Sequence, residues 1–213
     1  MANNILKGKR GIIFGALDSK SIAWKVAEHA HAEGAKFVLT NAPIALRMGT
    51  INELAEKTGS KVIAADATSM EDLKALYEVA MEKLGGKIDF VLHSIAMSVN
   101  VRKGRAYYEQ NYDWTMKGYD VSALSFHKTM QAAWELDALN QWGSVVGLSY
   151  IAAQRVFHTY NDMADNKAIL ESIARSFGYH YGVRRKVRVN TISQSPTATT
   201  AGSGVAGFDG FYK

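Results

Sequence analysis

Tyr150, Tyr160 and Lys167 stand close together in the stretch Leu148-Ser149-Tyr150-Ile151-Ala152-Ala153-Gln154-Arg155-Val156-Phe157-His158-Thr159-Tyr160-Asn161-Asp162-Met163-Ala164-Asp165-Asn166-Lys167. Tyr160 and Lys167 are seven apart, which on a helix is about 20° short of two full turns. Both side chains then leave one face, separated along the axis by roughly 10 Å. A phenol and an ammonium held this way can act together. The lysine can bind cofactor hydroxyls, and its charge favours a more acidic phenol. The phenol can hydrogen-bond to, or protonate, a substrate oxygen that becomes negative during reaction. Tyr150 closes the apolar run Val145-Val146-Gly147-Leu148, which reads as a strand. It therefore falls at a strand's carboxyl end, where open α/β sheets keep their sites. An ordinary amphipathic helix with a half-buried tyrosine and a solvated lysine has the same spacing, so the surrounding elements must decide.

Short apolar runs alternate with longer helical patterns. Gly11 to Phe14, Lys36 to Leu39, Lys61 to Ala64, Lys87 to Leu92, Ser144 to Leu148 and Val187 to Ile192 read as six strands. Helices are predicted over 21–32, with Gly34 as C-cap, from the capping-box pattern Ser69-Met70-Glu71-Asp72 to about Leu84, over 113–138, and over 159–181. Strand–helix alternation with nearly continuous apolar strands means a doubly wound parallel sheet covered on both faces. No repeat or linker interrupts 1–213, so one domain is expected. After Ile192 the segment to Lys213 is rich in Gly, Ser, Thr and Ala, and the sixth strand is expected at a sheet edge.

Composition narrows the chemistry. The chain has 213 residues, 47% hydrophobic and 21% charged, the balance of an ordinary globular protein. It has no cysteine, which excludes disulfides, thiolate nucleophiles and cysteine zinc sites. The six histidines show no ligand spacing, so no metal is expected. No run reaches the ~18 apolar residues that span a bilayer, and the N-terminus lacks a signal-peptide core, so a cytoplasmic protein without membrane insertion is expected. The net charge of +5 gathers in Arg102-Lys103-Gly104-Arg105 and Arg184-Arg185-Lys186-Val187-Arg188. These clusters suit solvated loops or an acidic protein partner, and no nucleic-acid module surrounds them.

Gly15-Ala16-Leu17-Asp18-Ser19-Lys20-Ser21-Ile22-Ala23 joins the first strand to the first helix. A dinucleotide needs backbone amides that can approach a pyrophosphate at a helix N-terminus. Gly15 supplies the open backbone, and Ser21 can cap the helix or donate a hydroxyl. Only the first glycine of G-x-G-x-x-G is present, so phosphate binding and a structural turn both remain open. Asp66 after the third strand suits an adenine amino group or a cap. The small residues of Ser94-Ile95-Ala96 let backbone approach a flat ring. Thr40-Asn41-Ala42 offers no carboxylate for a ribose, while Arg47 suits a 2′-phosphate or the surface, which leaves NADH and NADPH both open. Met97, Met130 and Met163, like Trp24, Trp114, Trp134 and Trp142, read as packing.

Together these motifs resemble the NAD(P)H-dependent enoyl-[acyl-carrier-protein] reductases, a divergent branch of the short-chain dehydrogenase/reductase family. The resemblance runs from about Leu6 to Phe211. It rests on Gly15 with Ser21-Ile22-Ala23, His93-Ser94-Ile95, Leu148-Ser149-Tyr150, Tyr160 with six residues before Lys167, and Val187-Arg188-Val189-Asn190. The wider family spaces Tyr and Lys by four, a position held here by Ala164. The resemblance implies a Rossmann-type fold, NAD(H) or NADP(H) as cofactor, an acyl carrier protein bearing an enoyl thioester as partner, and a homotetramer. It makes Tyr160 the residue on the thioester carbonyl, Lys167 the holder of the nicotinamide ribose, and Tyr150 the second active-site tyrosine. Gly15, Ser21, Ile22, Asp66, Ala67, Ser94, Ile95 and Ala96 would line the cofactor. Thr197, Thr199 and Ala201 would lie over it, and Met97 and Ser98 would face the acyl chain. Ala96, Asp165-Asn166 and Gln194-Ser195-Pro196 depart from the family's pattern. The family continues through another helix and strand, so the last strand–helix unit is expected to be missing and the activity of this form low. A carbonyl reductase on the same scaffold and an inactive nucleotide-binding protein are the alternatives.

Overall fold

The computed structural model describes residues 3–194 and 197–204. Six parallel strands, β1 (Arg10–Phe14), β2 (Lys36–Asn41), β3 (Lys61–Ala64), β4 (Ile88–His93), β5 (Leu139–Tyr150) and β6 (Arg188–Gln194), form one sheet in the order β3-β2-β1-β4-β5-β6. The chain winds outward from β1 in one direction and from β4 in the other. The crevice between the carboxyl ends of β1 and β4 is therefore the topological switch point of a Rossmann-type fold.

Successive strand residues point to opposite faces, so both faces must be covered. Ile12, Phe14, Val38, Val91 and Val145 pack with buried residues of α4 (Met70–Leu84), α7 (Ser125–Glu135) and α8 (Asn161–Arg185) on one face. Ile13, Leu39, Leu92 and Leu148 pack with α1 (Ile22–Ala32) and α3 (Ile51–Thr58) on the other. Tyr77, Phe14 and Phe126 are fully buried. Burial of such side chains contributes roughly 1.5–3 kcal/mol each.

The six strands lie where expected, and α4 is capped as its pattern indicates, with Ser69 Oγ accepting from the Asp72 amide at 3.1 Å. Other expectations change. Two further helices, α2 (Pro43–Met48) and α3, fill the β2–β3 connection. The region read as one helix over 113–138 divides into α6 (Tyr112–Tyr119), a π turn (Asp120–Leu124) and α7, after the four-residue α5 (Val99–Arg102). β5 starts at Leu139, and Trp142, expected to pack, is 67% exposed with φ +64°. α8 begins at Asn161 rather than residue 159, so Tyr160 occupies its N-cap position. Among the described residues no helix is long and apolar enough to cross a membrane, and no cluster of His, Asp or Glu is arranged to hold a metal.

Candidate active site

A cleft of about 330 Å³ opens at the switch point. Gly15 follows β1 with φ +90°, and a Cβ there would fall 1.9 Å from the carbonyl oxygen of Ser94, just past β4. The two strand ends approach so closely that only glycine fits. Gly15, Ser21 and Ile22 form the floor on the β1 side. Ser21 does not cap α1 through its side chain. Its Oγ instead accepts from the amides of Leu17 and Asp18, both at 3.1 Å, and shapes the turn. The first turn of α1 thus meets the cleft with no side-chain cap, the arrangement that suits an anionic ligand.

The opposite wall comes from the end of β4, where Ser94, Ile95, Ala96, Met97 and Ser98 all line the cleft. Ser122 in the π turn holds this segment from behind, its Oγ accepting from the Met97 amide at 2.8 Å and donating to the Met97 carbonyl at 2.9 Å. A π turn placed next to a site is a recurrent device, and nothing in the sequence pattern announced it. The Ser98 hydroxyl is already engaged, donating to Asp162 and accepting from the Val101 amide.

β5 and α8 bring the three chemical residues together. Tyr150 ends β5, and its ring lies 4.8 Å from that of Tyr160, tilted by 46°. Lys167 projects from two turns along α8, is 5% exposed, and donates from Nζ to the Leu148 carbonyl at 2.7 Å. An ammonium has three donors, so two remain for ligand hydroxyls. Burial pulls its pKa down to about 8. The same physics corrects the expected acidification of the phenol: burial, and then neighbouring Tyr150, raise the Tyr160 pKa above the ordinary range. Desolvation sets the direction of the shift, and Tyr160 is a neutral hydrogen-bond donor near pH 7. Behind the site, fully buried His93 bonds through Nε2 to Ser125 Oγ at 2.9 Å. Burial, followed by the charge of Lys167, lowers its pKa to about 3.

Thr197, Thr199 and Ala201 close the cleft beyond β6, and Thr200 Oγ1 donates to Asp18 Oδ2 at 2.5 Å, tying this segment to the β1 turn. Of the segment 194–213, residues 195, 196 and 205–213 lie outside the described residues. Asp66 and Ala67 do not line the cleft. Asp66 Oδ1 accepts from both the amide and the hydroxyl of Thr68, at 2.9 and 2.8 Å. Arg47 is exposed on α2 and is not part of the lining. Met163, read as packing, is a cleft residue, as is Met97, which the resemblance set against the acyl chain, whereas Met130 is fully buried in the core. Arg102 also reaches the lining, which its sequence context as a surface cluster did not indicate.

The two basic clusters differ in placement. Arg102, Lys103 and Arg105 are exposed beside the cleft. Arg185 lies over the Trp134 ring at 3.8 Å, donates to its carbonyl and pairs with Asp137 at 3.3 Å, while Arg188 donates to the Trp142 carbonyl. That second cluster sits at the start of β6, and seven strand residues from there to Gln194 amount to roughly 20 Å.

A family model described as "Enoyl-(Acyl carrier protein) reductase" matches residues 15–213. Enoyl-[acyl-carrier-protein] reductase [NADH] 1 of Rhizobium meliloti is 35% identical over 208 residues, covering 97% of this chain and 75% of that protein. The crystal structure of a FabI–NADH complex from Alistipes finegoldii superposes with a TM-score of 0.96 at 62% identity, over 98% of this chain and 74% of that one. The Bacillus cereus enoyl-acyl carrier protein reductase with NADP+ and indole naphthyridinone gives a TM-score of 0.89 at 29% identity, over 99% and 80%.

Proposed function

The chain belongs to the enoyl-(acyl carrier protein) reductase family, and from that premise we propose how its residues perform the reaction. It is an NADH-dependent reductase of the carbon–carbon double bond in trans-2-enoyl thioesters carried on acyl carrier protein, acting in fatty-acid synthesis. The observation that carries the assignment of roles is the convergence of Tyr150, Tyr160 and Lys167 on one cleft at the switch point.

The cofactor fits the residues present. The first turn of α1, without a side-chain cap, and the glycine-only turn at Gly15 suit a pyrophosphate, with Ser21 and Ile22 beside it. The spare donors of Lys167 suit ribose hydroxyls. Ser94, Ile95 and Ala96 offer a narrow wall for a flat ring, and Thr197, Thr199 and Ala201 face it from the other side. Asp66 and Ala67 are assigned to the adenine, beyond the lining, where Asp66 Oδ1 is taken by Thr68 and leaves the second oxygen. When bound, NADH supplies the hydride, delivered to the substrate's β-carbon. As that carbon gains the hydride, negative charge develops on the thioester oxygen. Tyr160, neutral and poised as a donor, stabilises that oxygen, and the buried charge of Lys167 adds to the field. Tyr150 packs against Tyr160 and limits where its ring can go. Met97 and Ser98 are assigned to the acyl chain, with the exposed Arg102, Lys103 and Arg105 receiving the carrier protein at the mouth.

Residues 1–213 act as one dinucleotide-binding domain with 194–213 as its substrate and cofactor loop, a reading supported by two cores that share one sheet. NADPH serves as a second coenzyme. The enzyme is a homotetramer, and it works in the cytoplasm. The test of the reaction compares an enoyl thioester with a β-ketoacyl thioester under NADH or NADPH. Rapid turnover of the enoyl compound alone is expected, and turnover of the β-ketoacyl compound alone would assign the site to carbonyl reduction.

A further inference from the structure

We infer that Asp162 is a positioning residue for the reduction, fixing the start of α8, and with it the Tyr160 phenol, against the loop that walls the acyl side of the cleft. The inference rests on the role of Tyr160 given above. Asp162 is fully buried, and the donors that reach its carboxylate are neutral. Ser98 Oγ donates to Oδ1, and Asn100 Nδ2 donates to Oδ2 at 3.0 Å. A buried carboxylate held by neutral donors is an expensive way to fill space, and an apolar side chain of similar size is often the more stable choice in such a place. Its use here follows from what it joins.

Both bonds span more than sixty residues, from the first turn of α8 to the segment after β4. Ser98 lines the cleft, and its hydroxyl also accepts from Val101, so the carboxylate sets the course of the wall. Asn100, itself fully buried, extends the grip: it accepts from the Asn111 amide at 3.0 Å and donates to Thr115 Oγ1 at 3.0 Å. Asn161 Nδ2 donates to the Arg105 carbonyl at 2.6 Å, and Asp165 accepts from Tyr107 and Tyr119 at 3.3 Å. Three residues between Tyr160 and Lys167 therefore hold the 98–119 region. A Cβ on Gly118 would lie 3.4 Å from Asp162 Oδ2, Asn166 Nδ2 and the Met97 carbonyl alike, so α6 closes the space into which this turn could relax. Tyr160 immediately precedes the turn. Loss of the carboxylate frees the phenol and the wall to move relative to each other, and a misplacement of ~1 Å in such geometry can cost 10²-fold in rate.

The test is a double-mutant cycle. Asp162→Asn and Asn100→Ala are each made alone and with Tyr160→Phe, and kcat/KM for an enoyl thioester, NADH affinity by fluorescence and the melting temperature are measured. With Tyr160 present, each substitution is expected to lower kcat/KM about tenfold while NADH affinity stays within about twofold. With Tyr160→Phe in place, the further loss is expected to fall below about twofold, because a residue acting through the phenol has nothing left to position. Equal losses in both backgrounds, or no loss with Tyr160 present, overturn the inference and leave Asp162 as a structural residue. Should Asp162→Asn not fold, Asn100→Ala carries the same expectation, since it removes one donor and leaves Ser98 on the carboxylate. A Tyr160→Phe enzyme of undiminished activity would instead strike the earlier assignment of the phenol, an outcome distinct from the other two.

Discussion

The Lys167 ammonium and the Leu148 carbonyl meet at 2.7 Å, joining the helix that follows Tyr160 to the strand that ends in Tyr150. One buried hydrogen bond thus sets the relation between both tyrosines and the ligand-facing end of the lysine. Lys167→Met keeps the volume and removes the charge and donors. It is expected to weaken NADH binding at least about tenfold, the equivalent of one charge-assisted bond. Calorimetric titration of the two proteins checks this.

The pKa of Lys167 gives the pH dependence a sign. Its folded value of about 8 lies below the ordinary 10.5. Between those pH values the unfolded chain holds more protons at this residue, so its contribution to stability rises as pH rises through that window and is lost as pH falls through 8. Binding of a hydroxyl ligand to the ammonium runs the other way: NADH affinity should fall above about pH 8 in the native protein. In Lys167→Met that step should vanish. Melting curves and NADH titrations across pH 7 to 10.5 would read both effects, and an unchanged step in the variant would assign it to another group.

Tyr160→Phe is expected to lower kcat by 10²–10³, the usual cost of losing one oxyanion donor, with NADH affinity nearly unchanged. Because burial and Tyr150 hold the phenol above its ordinary range, the activity should show no rise near pH 9 to 10 from a tyrosinate. Steady-state kinetics with a saturating coenzyme would show either.

Gly15→Ala should damage the fold and the cofactor site together. Its Cβ would meet backbone, the Ser94 carbonyl at 1.9 Å, at φ +90°. Such positive-φ strain costs on the order of 1–3 kcal/mol before the clash is counted. A lowered melting temperature with weakened NADH binding is expected, and a variant matching the parent in both would mean that the β1 and β4 ends can separate without penalty.

Charge reversal at Arg102 or Arg105 should raise KM for a carrier-linked enoyl substrate more than for its coenzyme A analogue, and added salt should shrink the difference. Arg184→Glu should affect both substrates alike, because its cluster lies at the opposite end of β6. Equal effects at Arg102 and Arg184 would return all these arginines to solvated surface.

The parts of this molecule that the sequence made legible are those where a single physical demand sets the residue type. The inner parallel strands, covered on both faces, must be largely apolar, so β1, β2, β4 and the end of β5 could be read, while the more exposed edge strands β3 and β6 were placed by the strand–helix alternation. Tyr150 and Lys167 fell where the strand–helix order put them. α2 was missed because it buries none of its residues and so imprints no period. The start of β5 was hidden in Leu139-Asn140-Gln141-Trp142-Gly143, where a positive-φ tryptophan turns its ring to solvent. The phenol's shift was misjudged because spacing reports the lysine on the same helix face and says nothing of the burial that raises the phenol. Ser122 and Asp162 escaped notice for a related reason. A serine in a helix and an acid in a first turn are ordinary surface residues by pattern, and only their long-range partners, Met97 and Ser98, reveal their work.

In the proposed reaction this cleft directs a hydride to the β-carbon of an enoyl thioester. NADH carrying deuterium at both C4 positions, incubated with a trans-2-enoyl thioester, tests it when the product is read by mass spectrometry and deuterium NMR. A saturated acyl thioester with one deuterium on the β-carbon is expected, formed at least about 10²-fold more slowly by Tyr160→Phe. Deuterium on a newly formed carbinol carbon, or an unlabelled product, would contradict it.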